Sequence, residues 1–153
     1  AVLFLHADTT PPRRFDALML DALADPSTSL AAFGYRLAPG ARGGGLWASA
    51  VEAGARSRAA WLELPWGDQG LSLTTATLRR LGGVKAVPLL EDVDLVLRAR
   101  AAGRVRVLAA DAETSPRRFD ALGACRANAA TALVLLWWHF GATPGQLFSM
   151  YYG

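Results

Sequence analysis

Glu91, Asp92 and Asp94 crowd three carboxylates into four residues, between Pro88 and an Ala-, Leu- and Arg-rich run. Acids so placed suit a helix start, where the first amides are unpaired and the dipole favours negative charge. Asp92 is also a candidate general base, provided a substrate proton comes within hydrogen-bond reach. Like-charged neighbours raise the pKa of such a group and a helix N-terminus lowers it, so the spacing leaves both readings open. A second acid, Asp8, follows the apolar run 2–5, two residues after His6. It can cap the next turn, or hold a hard divalent cation, Mg²⁺ or Mn²⁺, shared with phosphate oxygens. An acid ending a strand and an acid opening a helix can meet at the carboxyl edge of an α/β sheet, where such folds bind ligands.

Other stretches add polar groups. Gly67-Asp68-Gln69-Gly70 is either a plain turn or a loop that reads a substrate with the acceptors and donors of Asp68 and Gln69. Arg117 and Arg118, adjacent after Thr114-Ser115-Pro116, suit a diphosphate if they face inward, and a solvated loop if they do not. No P-loop, GxGxxG, GxSxG or zinc spacing occurs. A strand followed by an acid is half of the haloacid-dehalogenase phosphatase pattern, but His6 stands where that nucleophile belongs and excludes the chemistry.

The elements that must position these groups alternate between strand and helix, which predicts an α/β fold with a mixed sheet flanked by helices. The run 2–5 reads as a fully buried strand. A helix over about 13–23 has Phe15, Leu18, Met19 and Leu23 as its apolar face, and a strand follows over 30–37. Residues 39–45 form a flexible loop. The helix over 46–62 gathers Trp47, Val51, Ala55 and Trp61 near one side. Residues 71–74 alternate like a strand with one wet face; a short helix over 76–81 stops at Gly82. Asp94 and Arg98 form an i,i+4 pair on the helix after the acids. A strand over 104–108 and one long helix over about 119–140, buried as the closing element, complete a single domain of 153 residues.

With 52% hydrophobic and 19% charged residues the chain can build a real core. The net charge is only +3, and all basic residues but Lys85 are Arg, scattered without a basic stripe. That argues against a nucleic-acid partner. The single Cys125 excludes an internal disulfide framework and fits a reducing compartment. The apolar run 129–138 is too short to span a bilayer, which takes about 20 residues.

In order along the chain, LFLHADT (3–9), RSR…LPWGDQG (56–70), LRRLGGV (78–84), LLEDVDLVLR (89–98) and TSPRRF (114–119) resemble glycosyltransferase family 2. The closest likeness is to its bacterial subgroup of arsenosugar-biosynthesis or radical-SAM/selenodomain-associated transferases. The resemblance implies a GT-A fold and inverting transfer from a nucleotide-diphospho-sugar to a small-molecule or lipid-linked acceptor. It gives the base role to Asp92 and a divalent cation to Asp8. Binding roles fall to His6, Asp68, Gln69, Gly82, Gly83, Glu91, Arg117 and Arg118. It also implies a cytoplasmic enzyme that touches the inner face of the plasma membrane through 129–140.

Departures accompany the likeness. His6 replaces the first Asp of an Asp-x-Asp pair, and Thr10, Trp66, Val84 and Phe119 stand for Arg, Tyr, Phe and Trp. The nucleotide-binding strands that precede HAD in the family are missing, so this chain alone is expected to bind donor poorly. The alternative is a non-catalytic module that docks on a partner or membrane surface through the Trp137-Trp138 helix.

Overall fold

The computed structural model describes residues 1–39 and 45–152. Among them the chain forms β1 (Val2–Phe4), β2 (Thr9–Thr10), α1 (Phe15–Ala24), β3 (Thr28–Leu37), α2 (Leu46–Leu62) and β4 (Leu71–Leu73). It continues through α3 (Thr75–Arg80), α4 (Glu91–Ala102), β5 (Arg104–Thr114), α5 (Arg117–Leu122), α6 (Ala124–His139) and α7 (Pro144–Tyr152). The loop expected over 39–45 falls mostly on 40–44, outside the described residues, as does the side chain of Cys125.

The strands form one mixed sheet in the order β1-β4-β3-β5-β2. β3 and β5 pair in parallel at its centre, while β4 runs against both β3 and β1. β1, β3 and β5 therefore point the same way, and their carboxyl ends share one edge. β4 runs in reverse, so the turn that feeds it lies at that same edge. α4 returns the chain to the start of β5, so its N-terminus lies there too. Topology alone thus gathers four stretches: 5–8, 66–70, 89–92 and 114–118.

The core explains the strands. β3 is buried along its length except at Arg36, as expected of a central parallel strand. α4 packs Leu95, Val96 and Ala99 against Leu30, Ala32, Leu71 and Leu73. α1 covers Ala31 with Met19, Ala22 and Leu23, on the opposite face by the two-residue alternation of a strand. Fully buried Leu30, Leu71 and Leu95 contribute about 1.5–3 kcal/mol each.

Several expectations change. β1 is an edge strand of intermediate burial, not a fully buried one. β4 has no wet face: Leu71 and Leu73 pack into the α4 cluster on one side, and Ser72, on the other, is buried with its hydroxyl donating to the Ala31 carbonyl. Phe15 and Leu18 are exposed on α1, and Trp61 is 85% exposed on α2, since the sheet covers a narrower face than the periodicity allowed. β5 extends to Thr114 because β3 offers it partners up to Leu37. The long closing helix is two helices, broken at Gly123 with φ 78° and ψ 145°. Nor is it buried throughout: Leu133, Leu136 and Trp137 are exposed on α6, and Phe140 just past its end, while Val134 is covered. No helix among the described residues is long and apolar enough to cross a membrane.

Candidate functional site

At the carboxyl edge lies a cavity of about 1030 Å³. Its polar lining includes His6, Asp8, Asp68, Glu91, Asp92 and Arg118. Six of the ten predicted site residues therefore share one space, drawn from four separate stretches. Trp47, Val51 and Ala55 of α2, Leu89 and Leu90 before α4, and Leu135 of α6 supply an apolar wall.

Asp92 is held at the N-terminus of α4. Its Oδ2 accepts the Gly67 N–H at 2.8 Å and its Oδ1 the Val93 N–H at 2.7 Å. Gly67 must be glycine for this joint to close, since a Cβ there would lie 2.4 Å from His6 Nε2. His6, the 66–70 turn and Asp92 are thus locked in series. Asp8 sits where β2 meets the end of β5: its carbonyl accepts the Ser115 N–H at 3.0 Å. Beside it, the Thr9 and Thr114 hydroxyls bond at 2.7 Å. Arg117 reaches the Asp8 carboxylate at 3.4 Å, a loose and largely exposed pair, worth little in water.

Asp68 differs from both. Its Oδ1 is buried with no hydrogen-bond partner among the described residues. Burial pushes its carboxyl up to about 6, against the pull of Arg58 and His6 and with a further push from Asp92. Burial likewise lowers Arg58 and raises Tyr35.

The remaining predicted residues take other places. Gln69 is fully buried and braces the turn: its Oε1 accepts from Trp66 N–H and Arg58, and its Nε2 donates to the Phe33 carbonyl. Gly82 and Gly83 lie after α3, away from the cavity lining; the Gly83 carbonyl accepts from Arg98 at 2.9 Å. Asp94 pairs with Arg98 as expected, at 2.6 Å, and with Lys85 at 2.7 Å. Burial opposes its ionisation, but these two cations hold the carboxyl below its usual range. Arg117 opens α5 beside the cavity and outside its lining.

Comparison with protein-family models, with curated proteins and with solved structures finds no match.

Arg58 is the residue that reading the sequence missed. Its guanidinium stacks 3.5 Å above the Trp66 ring and donates to the Leu64 carbonyl at 3.0 Å and to Gln69 Oε1. The signal was present in its placement one helix ahead of a Trp-Gly-Asp-Gln turn, but no periodicity distinguishes an arginine that folds inward. Among the described residues, no three His, Cys, Asp or Glu side chains gather closely enough to cage a metal ion. Asp8 and His6, both in the lining, are the side chains that could share a cation there with a ligand's own oxygens.

Proposed function

We propose that this cavity is the acceptor side of an inverting glycosyltransferase of the family 2, GT-A type, which moves a sugar from a nucleotide-diphospho-sugar to an acceptor hydroxyl. The observation that carries the reading is that Asp8 and Asp92, from a strand end and a helix start far apart in sequence, line one cavity. Such a reaction needs one carboxylate to take the acceptor proton and positive charge to receive the departing diphosphate. The resemblance gives the first role to Asp92, though Asp68 lines the same space. Arg118, in the lining, and Arg117, beside Asp8, suit the phosphates. A Mg²⁺ or Mn²⁺ held by Asp8 and the donor's oxygens would offset charge on the leaving group. No covalent nucleophile is needed. On this reading the protein works in the cytoplasm, at the inner face of the plasma membrane.

The test uses the full-length gene product. Radiolabelled sugar is offered from UDP- and GDP-linked hexoses to an alkyl alcohol acceptor. Transfer by the wild type and its loss in Asp8→Ala are expected; no transfer from any donor sinks the reading.

A second reading draws on α6. Leu133, Leu136, Trp137 and Phe140, at helical spacing, are each about half exposed or more, which suits a surface that rests on a membrane or partner. Liposome flotation decides it: wild type floats and the Trp137→Ala, Phe140→Ala double variant stays at the bottom, or neither floats and the docking idea fails.

A further inference from the structure

Arg58 stands on α2 and in the cavity lining, yet its guanidinium is engaged with the chain itself. Its Nε donates to the Leu64 carbonyl at 3.0 Å and a terminal nitrogen donates to Gln69 Oε1 at 3.1 Å. Its Cζ lies 3.5 Å from the centre of the Trp66 ring. Arginine can make this flat, forked hold and lysine cannot. Gln69 carries the hold onward. Fully buried, it accepts the Trp66 N–H at 3.2 Å and donates to the Phe33 carbonyl of β3 at 3.0 Å. The turn is therefore pinned to α2 on one side and to a central strand on the other.

That pinning aims one amide. The Gly67 N–H, inside the pinned turn, reaches Asp92 Oδ2 at 2.8 Å. The other oxygen of Asp92 accepts the Val93 N–H at 2.7 Å, from α4 itself. Amides of two different elements thus set the plane of the carboxylate. The α4 side is fixed by the helix that carries Asp92. The Gly67 side is fixed by the Arg58 and Gln69 side chains.

We propose that Arg58 is a positioning residue for Asp92: through Gln69 and the Gly67 amide it holds the carboxylate where that group can take the acceptor's proton. The assignment rests on the transfer reading above, in which Asp92 is the base. A base works only within hydrogen-bond reach of its proton, and a misplacement of about 1 Å can cost about a hundredfold in rate. Arg58 acts at a distance from the reacting atoms, so its loss shows in turnover and not in binding.

Three measurements on the full-length product test this. The first needs no donor: exchange of the buried Gly67 amide proton should quicken about tenfold or more in Arg58→Met, while amides of β3 paired with β5 keep their wild-type rates. The second splits the kinetic constants. Arg58→Met should lower kcat about a hundredfold and leave donor and acceptor KM within about twofold, because bound substrate loses no contact. Arg58→Lys keeps the charge without the fork and should stay about tenfold slow. The third is a double variant. In Asp92→Asn, where the base is already lost, Arg58→Met should cost under about threefold more, since nothing is left to position.

Should Arg58→Met fail to fold, Arg58→Lys carries the same three measurements. Unchanged Gly67 exchange, a raised KM at unchanged kcat, full activity in Arg58→Lys, or losses that multiply in the double variant would each overturn the proposal and leave the transfer reading standing. A wild type that transfers nothing removes both.

Discussion

Two partly buried carboxylates beside the same sheet show how differently a fold can treat one functional group. Asp111 lies within β5, opposite Gly34 of β3. Its Oδ2 receives Arg56 at 2.8 Å and Arg36 at 3.2 Å, while its Oδ1 presses so closely on Gly34 that a Cβ there would fall 2.2 Å away. Asp68, at the sheet's carboxyl edge, also has an arginine nearby, yet makes no ion pair with any described residue; Arg58 gives its hydrogen bonds to Leu64 and Gln69. Both acids have an oxygen without a partner, so an orphan oxygen alone does not mark a site. What separates them is compensation and access. Asp111 is neutralised in contact with two cations and held within the strand pair. Asp68 is left charged by distance alone, in the wall of a cavity. The first arrangement holds strands together; the second leaves a carboxyl of raised pKa in the cavity wall.

Several substitutions would break or sharpen that contrast. The largest effect belongs to the acids of the cavity: Asp92→Asn should lose roughly 10²–10⁴-fold in transfer by the full-length product, with Asp111→Asn leaving turnover per folded molecule unchanged in the same assay. Next comes stability against pH. A carboxyl raised in the folded state from the ordinary 3.8 to about 6 contributes stability that is present below pH 4 and lost as pH rises through 6. Urea unfolding should show Asp68→Asn gaining on wild type by as much as about 3 kcal/mol between pH 4 and pH 8; a constant difference would mean that burial does not act on Asp68 as described. Gly34→Ala should cost about 1–3 kcal/mol by forcing Asp111 out of its ion pairs, measured as a lower urea midpoint that Asp111→Ala in the same chain partly restores. The smallest effect is Arg56→Gln. Arg56 is about half exposed, so its loss should cost under about 1 kcal/mol, and less in high salt.

The helices and strands that carry the site were legible because their periodicity is strong. The α2 boundaries, the acid-rich start of α4 and the Asp94–Arg98 pair all follow from spacing alone. Leu71-Ser72-Leu73 misled, because alternation implies one wet face only when a strand has a solvated side, and β4 has covering on both. Arg58 and Trp66 stayed hidden for a related reason. Their role comes from a stack across a helix and a turn eight residues apart, and no linear pattern records which way a long side chain folds. The break at Gly123 within the closing helix was readable as a single glycine, yet a glycine inside a helical pattern is often tolerated.

The sequence by itself determined which residues are acidic, where strands stop and helices start, and hence that Asp8 and Asp92 lie at element ends. Only the tertiary structure decided that these ends meet, since that depends on β1, β3 and β5 running one way while β4 runs back between them. It alone also set apart the carboxylates: Asp92 met two backbone amides, Asp94 two cations, and Asp68 neither. Charge is a property of the residue, but the free energy of holding that charge belongs to its surroundings.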